Sequence, residues 1–534
     1  MRLKSPPWLL LDDVGPIPGL DTLSGPKRPT IAVDAPDSES PTPAQAAQGA
    51  QDYAKQQASS KDLASHLVYI RFLQRNQPPR TMIEKFGSGY QDYLQAPLQP
   101  LTDNLESVTY EVFEKDPVKY DNYELAIVQA LSDWSEQNKP TSSPSGAVVI
   151  AVAGSGRGPL VTRALKASQT TGVPVEVWAV EKNPNAYVLL QRHNKEDWGG
   201  VVNVVKSDMR AWKGPLRSAS GLIGQAITTT TIVPASPYGK VDILVSELLG
   251  SFADNELSPE CLDGVQHVLA PEFGISIPSS YTAHLTPILA PRLHADISHR
   301  AITDPTATET PYVVMLHAID YLATSVPDHP RFQESWEFTH PLPAATLIAA
   351  ETRRGGGVSG GGGGSMSGGD GANEHNVRYS RHTFVCKDRG VVNGIAGYFE
   401  AVLYDGGEGG KVELSTRPDT IDAKSQDMIS WFPIFFPIKV SYAHVYREGP
   451  YLLPSRHLFT SQMTQSSISV SGDRRMIEKY GSKHSLAPMS CYPTGSNIIR
   501  SEWVVDAFVV MGPTKRMRLG TSEVGSSRKV GCLM

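Results

Sequence analysis

Between Ser145 and Pro278, short apolar runs alternate along the chain with stretches whose apolar residues recur at helical spacing. The runs are AVVIAVA, VEVWAV, VVNVV and VDILVS. Strands that are almost wholly apolar are typical of a parallel sheet buried on both faces, and the intervening helices are typical of βαβ units. The pattern therefore predicts an α/β fold with a doubly wound, Rossmann-like domain, which we place at residues 96–278.

After Pro278 the pattern changes to shorter apolar runs that are separated by turn residues. They include YTAHLTPI, PYVVMLHAI, HTFVCKD, VVNGIAGYFEAVLYD, KVELSTRP and SWFPIFFPIKV. Closely spaced strands of this kind predict a second, β-rich domain over residues 279–534, built as a barrel or a sandwich.

Several segments interrupt these two patterns. Residues 15–62 are rich in Pro, Ser, Ala and Gln, and residues 355–373 are mostly Gly, so we predict a flexible loop and a flexible linker, respectively. The stretch 214–239 breaks the alternation of strands and helices, which predicts a surface insertion. Residues 450–500 are polar and serine-rich, and no element is assigned to them. Residues 1–95 form the first predicted unit, with a helix at ASHLVYIRFLQRN.

Composition narrows the classes of protein that the chain can belong to. Its 534 residues, of which 40% are hydrophobic, are enough for several cores. The 49 basic and 55 acidic residues give a net charge of −6, which argues against a general nucleic-acid or membrane-surface binder. No apolar run approaches the roughly 18 residues of a membrane helix, and the apolar N-terminal block is too short for a signal peptide. We expect a soluble protein without a nucleic-acid or membrane partner.

The cysteines lie far apart and form neither a CxxC pair nor a zinc-like spacing with histidine. They are Cys261, Cys386, Cys491 and Cys532. Such usage is typical of a reducing compartment and favours a structural role for each of them. We therefore expect an intracellular location and no metal site.

The glycine-rich turn GSGRGP, residues 154–159, follows the first apolar strand and opens a helix. This is the position of a nucleotide-binding turn, although a tight connection would have the same sequence. Its glycines occupy the first, third and fifth positions, whereas the dinucleotide fingerprint has the first, third and sixth. The spacing disfavours a pyrophosphate ligand, and with it a nicotinamide-dependent dehydrogenase.

Acidic residues follow the next two strands. A carboxylate at the end of the second strand, where Glu181 lies, can accept hydrogen bonds from both ribose hydroxyls of a nucleoside. After the third strand, Asp208 can accept the adenine amino group while Met209 packs on the ring. Either acid alone could be an ordinary strand-end residue. Together with the glycine turn they lie at successive strand ends, which favours an adenosyl site without a pyrophosphate and S-adenosylmethionine as its ligand.

The fourth strand is followed by SELLGSFADNE, which places Glu247 and Glu256 in one loop with Asp254 between them. Such a pair can do acid and base work, bind a metal or hold a cation, or it can be two exposed loop acids. Metal binding is disfavoured because no further ligands lie nearby at a suitable spacing. A guanidinium is planar, permanently charged and able to bind carboxylates bidentately, so it is a suitable cation for this pair.

The longer stretch SELLGSFADNELSPECLDG resembles the double-glutamate loop of the protein arginine methyltransferases, and most closely that of the fifth type, which forms symmetric dimethylarginine. The other stretches that agree, in the same order, are PLQPLTDNLES, TYEVFEKDPVKY, GSGRGPLV, AVEKNPNA, SDMRAW, SIPSSYT, GIAGYFEAVLYD and SWFPIFFPIK. The resemblance covers residues 64–447. It implies a nucleotide-binding domain followed by a β-barrel, with S-adenosylmethionine as the methyl donor.

The resemblance also implies roles for individual residues. Glu247 and Glu256 match the catalytic pair, and Lys119 matches the cation that faces the methionine carboxylate of the cofactor. Phe113 matches the phenylalanine that favours symmetric dimethylation, and Trp431 matches an aromatic wall of the substrate channel. The positions that match cofactor contacts are Tyr110, Lys119, Tyr120, Gly154, Gly156, Glu181, Asp208 and Met209.

The family begins with a TIM barrel, of which only the last portion fits into residues 1–95. Because the family uses that barrel to bind a WD-repeat partner and to build its oligomer, we expect no WD-repeat partner here and leave a homo-oligomer open. The implied substrates are arginine-containing protein segments such as histone tails and Gly/Arg-rich RNA-binding proteins, and the implied location is the cytoplasm and nucleus. The alternative is a catalytically impaired scaffold that binds the cofactor.

Overall fold

The structure is a computed structural model of the chain. The residues that the structure describes are 72, 75–77, 79, 81–217, 237–346, 348, 374–376, 378–386, 391–438, 466–477, 498–510, 516–521 and 525–526. Of the separate unit Met1–Thr81, one helical turn is described, in which Asn76 N donates to the Phe72 carbonyl at 3.0 Å. The predicted loop at 15–62 and the linker at 355–373 lie outside the described residues, as does nearly all of the predicted barrel remnant.

A parallel sheet forms the first part of the fold, as predicted. Its strands are β1 (Val148–Ala153), β2 (Val175–Glu181), β3 (Asn203–Lys206), β4 (Ile243–Val245) and β5 (Ile275–Ile277). Their order is β3–β2–β1–β4–β5, and every neighbouring pair is parallel. The chain direction across the sheet therefore reverses between β1 and β4, where ligands of doubly wound folds bind at the carboxyl ends of the strands.

The helices of this part cover both the sheet and the ends of its strands. They are α1 (Met82–Phe86), α2 (Ser107–Phe113), α3 (Pro117–Glu136), α4 (Pro159–Thr171), α5 (Pro184–Glu196) and α6 (Ser258–Val265), which continues into a 3₁₀ turn at Gln266–Val268. Proline lies in the first turn of each helix from α3 to α6, where its missing N–H costs nothing.

Helix α3 supplies much of the core beneath the sheet. Its fully buried side chains recur at intervals of three and four residues, which places them on one face of the helix. They are Tyr123, Ala126, Ile127, Ala130 and Leu131. Burying a side chain of the size of Leu or Ile contributes about 1.5–3 kcal/mol, so this face fixes the helix firmly enough for its first turn to carry functional groups.

The second part of the fold is antiparallel, which confirms the predicted β-rich domain. One sheet contains β6 (Ser280–Leu289), β7 (Tyr312–Val313), β8 (Asp320–Tyr321), β9 (Gln333–Thr339), β11 (Gly394–Asp405), β12 (Lys411–Ser415) and β13 (Ile434–Pro437). Its order is β7–β13–β11–β6–β8, with β12 on β11 and β9 on β6. Two helices accompany it, α7 (Pro291–Arg300) and α8 (Ile421–Lys424), together with a 3₁₀ turn at Gly407–Gly409.

A second antiparallel sheet is formed by later segments. It contains β10 (Arg378–Cys386), β14 (Ser466–Ile477), β15 (Ile498–Val510), β16 (Arg516–Thr521) and β17 (Gly525–Ser526), and a 3₁₀ turn at Glu374–Asn376 precedes β10. The order is β10–β14–β15–β16, with β17 paired to β15. Strand β14 lies within residues 450–500, to which the sequence pattern assigned no element.

A stem holds the ends of the segment 218–236, which lies outside the described residues and forms most of the predicted insertion. Arg217 N donates to the Pro237 carbonyl at 2.8 Å. The guanidinium of Arg217 reaches both carboxylate oxygens of Glu176, at 2.7 and 2.8 Å. Glu176 is the second residue of β2, so the stem is anchored at the amino end of that strand, opposite the carboxyl ends where ligands bind.

Candidate functional site

A cavity of about 520 Å³ opens at the carboxyl ends of the parallel strands. Its walls come from α2, the start of α3, the loops that follow β1 to β4, and the segment 429–432 before β13. All of the predicted site residues line it: Tyr110, Phe113, Lys119, Tyr120, Gly154, Gly156, Glu181, Asp208, Met209, Glu247, Glu256 and Trp431. The structure therefore brings together residues that the sequence separates widely.

The turn after β1 forms one wall of the cavity and requires glycine at two positions. Gly154 and Gly156 have φ angles of 74° and 52°, in the left-handed region. A Cβ atom on Gly156 would lie 3.1 Å from the ring of Tyr110, and one on Gly154 would lie 3.1 Å from Leu248. The turn thus has little room for side chains at these two positions, and its backbone lines the cavity where a ligand could lie against it.

Glu181 lies at the end of β2 with only 5% of its surface exposed. Its two carboxylate oxygens accept hydrogen bonds from the backbone N–H groups of Gly156 and Asn183, each at 2.7 Å. Burial raises the pKa of Glu181, and these two N–H groups act in the opposite direction. A carboxylate has about four acceptor positions, so Glu181 can still accept hydroxyl groups from a ligand in the cavity.

Asp208 lies after β3 and is held by an arginine that the sequence reading missed. Arg210 donates to one Asp208 oxygen from Nε at 2.9 Å and to the other from Nη2 at 2.6 Å. Burial raises the pKa of Asp208, but the hydrogen bonds and charge of Arg210 outweigh it and lower that pKa overall. Asp208 therefore stays an acceptor, while the neighbouring Met209 methyl packs beside Gly154.

Hydrogen bonds from Arg157 join helix α2 to the glycine turn. Arg157, within the turn, donates to Glu111 at 2.7 Å and also reaches Ser107, so both ends of α2 are held. The rings of Tyr110 and Phe113 lie edge to face with centroids 6.4 Å apart, and both line the cavity. Burial raises the pKa of Tyr110, which keeps its hydroxyl neutral.

Lys119 lies in the first turn of α3 with 2% of its side chain exposed. Its ammonium is 3.4 Å from Glu247 Oε2 and lies over three rings, with centroids 4.8 Å away for Tyr120, 4.8 Å for Trp431 and 5.5 Å for Phe113. Burial lowers the pKa of Lys119, but the Glu247 carboxylate and other nearby groups outweigh it and raise the pKa overall. The lysine is a charged group enclosed by aromatic faces.

Glu247 and Glu256 both line the cavity, and their electrostatic surroundings differ. Burial, followed by the charge of Glu247, raises the pKa of Glu256 well above that of an ordinary carboxyl group, and Lys119 opposes this rise. Glu247 keeps 18% of its side chain exposed and has Lys119 as its ion-pair partner. Burial and the charge of Glu247 thus both disfavour the ionised form of Glu256, and a cation entering the cavity would offset this effect.

The loop between the two glutamates is rigidly built. Asn255 accepts a hydrogen bond of 2.7 Å from Phe252 N, and Leu257 adopts a positive φ of 66°. Asp254, to which the sequence analysis assigned no role, is 2% exposed and accepts a hydrogen bond of 2.9 Å from the indole of Trp336 on β9. It therefore has a positioning role that the sequence did not indicate.

Asp116 fixes the segment 429–431, which forms another wall of the cavity. Its carboxylate accepts hydrogen bonds from the backbone N–H groups of Ile429 at 3.0 Å and Ser430 at 2.7 Å, and it also caps α3. The next residue, Trp431, donates from its indole nitrogen to the Leu249 carbonyl at 2.7 Å. The sequence offered a signal for Asp116, since an Asp before Pro at a helix start is a typical N-cap.

The described residues contain no group of three or more His, Cys, Asp or Glu side chains arranged to hold a metal ion. Cys261 and Cys386 are buried, and burial raises the pKa of these thiols to about 12 and about 11, respectively. Every helix in this part of the chain is too short or too polar to pass through a bilayer. The ionisable side chains that line the cavity include Glu181, Asp208, Glu247, Glu256, Lys119 and Lys182.

Two family models match the chain in succession. One, described as PRMT5 arginine-N-methyltransferase, matches residues 81–277. The other, described as PRMT5 oligomerisation domain, matches residues 280–447. The first match covers the parallel sheet and most of the residues that line the cavity, and the second begins at the first residue of β6.

Three curated proteins are similar over most of the chain. Protein arginine N-methyltransferase skb1 of Schizosaccharomyces pombe is 43% identical over 378 residues, which are 71% of this chain and 51% of the relative. Protein arginine N-methyltransferase 5 of Xenopus laevis is 41% identical, covering 71% and 50%. The protein of the same name from Oryza sativa subsp. indica is 40% identical, covering 73% and 50%. The chain thus spans about half the length of these relatives.

Proposed function

Because the chain belongs to the PRMT5 arginine N-methyltransferase family, we propose that it is an S-adenosylmethionine-dependent protein arginine N-methyltransferase that forms monomethylarginine and symmetric dimethylarginine. The observation that carries the proposal is that Glu247 and Glu256 line the same cavity as Glu181 and Asp208. A pair of carboxylates suited to a guanidinium thus adjoins groups suited to an adenosine.

The residues around the glycine turn fit the methyl donor. Glu181 would accept the ribose hydroxyls, Asp208 the adenine amino group, and Lys119 would face the carboxylate of the methionine part. Gly154 and Gly156 line the cavity without side chains, so the donor can lie against the backbone of the turn. When bound, S-adenosylmethionine supplies a methyl group on a positively charged sulfur that is a good leaving group.

The two glutamates would hold and orient the substrate guanidinium. Its nitrogen attacks the methyl carbon in line, so that an N–C bond forms while the S–C bond breaks and S-adenosylhomocysteine is released. The methylated guanidinium loses one proton, for which Glu256, with its raised pKa, is the candidate acceptor. Positioning and charge complementarity supply most of the catalysis in this scheme.

The finer features of the function are proposals of the same kind. Phe113 would favour the symmetric product by limiting the space around the methylated nitrogen, and Trp431 would form a wall of the arginine channel. The match of residues 280–447 to an oligomerisation domain supports a homo-oligomer. Substrates would be arginine-containing segments such as histone tails and Gly/Arg-rich proteins, and the proteins that carry them imply the cytoplasm and nucleus as locations.

The test is a methyl-transfer assay on the purified full chain. It is incubated with isotope-labelled S-adenosylmethionine and a Gly/Arg-rich peptide, and the product is fragmented by mass spectrometry, where symmetric dimethylarginine loses methylamine and the asymmetric form loses dimethylamine. We expect monomethyl and symmetric dimethyl products. A folded chain that binds S-adenosylhomocysteine without transferring methyl groups would instead be a cofactor-binding scaffold.

Glu247→Gln tests the role of this carboxylate, because the substitution removes one charge and keeps the shape of the side chain. We expect methyl transfer to be abolished while the affinity for S-adenosylhomocysteine, measured by calorimetry, is retained or increased. A large loss of cofactor affinity would contradict the role assigned to Glu247.

A further inference from the structure

The carboxylate proposed to bind the substrate guanidinium already has a cationic partner from the chain itself. Glu247 Oε2 lies 3.4 Å from the ammonium of Lys119. The same ammonium lies 4.8 Å from the ring centroid of Tyr120 and 4.8 Å from that of Trp431. A cation next to a carboxylate and against aromatic rings is the arrangement expected for a bound guanidinium. Lys119 thus occupies the kind of environment that the substrate needs.

We propose that Lys119 and the substrate arginine compete for Glu247, and that the carboxylate of the bound methyl donor relieves this competition, so that cofactor binding prepares the arginine site. The inference rests on the proposed function and adds to it an order of binding. It assigns Lys119 a second role, on the substrate side of the cavity, beyond its predicted contact with the cofactor.

Burial makes a second carboxylate necessary. The side chain of Lys119 is 2% exposed, and separating a buried charge from its counter-ion is strongly unfavourable. The backbone of Lys119 is also fixed, because its N–H donates to the Asp116 cap at 3.2 Å. The ammonium can therefore move away from Glu247 only by turning its flexible stem toward another anion that lies within the cavity.

The charges in the cavity support the same order. Glu247 and Glu256 together carry two negative charges when both are ionised, and Lys119 offsets one of them. An incoming guanidinium would be repelled by an ammonium that still lay 3.4 Å from Glu247. Once a cofactor carboxylate holds the ammonium, both glutamates become available to the guanidinium.

The test measures peptide binding rather than turnover. A fluorescent Gly/Arg-rich peptide is titrated with the full chain by anisotropy, alone, with saturating S-adenosylhomocysteine, and with saturating 5′-methylthioadenosine, which carries the adenosyl group without a carboxylate. We expect S-adenosylhomocysteine to tighten peptide binding by about tenfold, within the usual range of coupling between sites, and methylthioadenosine to leave it nearly unchanged. Equal effects of the two nucleosides, or no effect of either, would overturn the proposal.

Two variants sharpen the result. Lys119→Met keeps the length of the side chain without its charge, so we expect its peptide affinity without nucleoside to match that of the wild type with S-adenosylhomocysteine, and to gain nothing from the nucleoside. Lys182→Met is the control, because Lys182 lines the same cavity but donates to the Leu101 carbonyl. It should retain the coupling of the wild type.

Failure of this inference is distinct from failure of the proposed function. If the chain does not bind S-adenosylhomocysteine by calorimetry, the proposed function fails. If it binds S-adenosylhomocysteine and transfers methyl groups, but peptide affinity is independent of the nucleoside, only the competition is refuted. The comparison of nucleosides uses the wild-type chain, so it stays informative even if Lys119→Met does not fold.

Discussion

The indole nitrogen of Trp336 donates a hydrogen bond of 2.9 Å to the carboxylate of Asp254. Trp336 lies on β9 of the antiparallel domain, whereas Asp254 lies between the two glutamates that follow β4. The ring of Trp336 also meets Phe252 edge to face, with centroids 5.4 Å apart. The antiparallel domain therefore holds the loop that carries Glu247 and Glu256, the proposed catalytic pair.

Trp336→Phe should weaken this hold. The change keeps an aromatic ring but leaves a buried carboxylate with one donor fewer, which costs about 1–3 kcal/mol. We expect a lower Tm and a lower kcat, measured by calorimetry and by methyl transfer. Trp134→Phe is the control, since its indole donates to the Lys139 carbonyl at 3.1 Å, away from the loop. An unchanged kcat in Trp336→Phe would mean that the loop keeps its geometry without this bond.

Glu256→Gln should stabilise the fold while abolishing activity. The folded-state pKa of Glu256 lies above its unfolded value, so ionisation of this group opposes folding at pH 7, and the neutral amide removes that effect. We expect a gain of about 1 kcal/mol in the free energy of unfolding at pH 7. The gain should shrink as the pH falls and Glu256 becomes protonated in the wild type. A loss of stability in Glu256→Gln at pH 7 would contradict the raised pKa assigned to Glu256.

As the pH is lowered, the affinity for the arginine peptide should begin to fall at a pH above the usual pKa of a carboxyl group. Only the ionised form of Glu256 attracts a guanidinium, and its pKa is raised well above the usual 4.5. As the pH falls through this raised pKa, the Kd for the arginine peptide should increase in the wild type, measured by anisotropy with S-adenosylhomocysteine present. In Glu256→Gln this acid limb should be missing. If both proteins lost affinity over the same range of acid pH, a group other than Glu256 would be responsible.

Phe113→Met should change the product. Phe113 meets Tyr110 edge to face and lies 5.5 Å from the ammonium of Lys119, so a smaller and more flexible side chain would open space on that side of the arginine site. We expect asymmetric dimethylarginine to form alongside the symmetric product, detected by fragmentation. Phe86→Met serves as the control, because Phe86 lines the cavity but packs on Phe432. Unchanged products in Phe113→Met would argue against a steric role.

The parallel sheet was predictable because most of its strands are continuous apolar runs in the sequence. Runs such as AVVIAVA are apolar on both faces, and Ala147 to Ala153 are indeed all buried. The groups that follow these strands must then meet at one edge of the sheet, which is why Glu181, Asp208 and Glu247 could be assigned to one cavity. Strand β5 escaped prediction because its paired residues, ISI, are too few to form a recognisable run.

Contacts between distant segments were not predictable in the same way. The pairing of Lys119 with Glu247 and that of Asp254 with Trp336 join residues from different elements, and no local pattern encodes them. The role of Asp116 was predictable only in part. Its place before Pro117 indicates a helix cap, but its bonds to Ile429 and Ser430 depend on the antiparallel domain lying against α3.

The stem at Arg217 and Pro237 marks a place where the protein can be engineered. Its two arms lie within one hydrogen bond of each other and are secured to Glu176, at the amino end of β2, on the side of the sheet away from the cavity. A fluorescent reporter or an affinity tag whose own termini are close together could replace residues 218–236 without touching the groups that line the cavity. The same junction offers new chain termini for a circularly permuted enzyme.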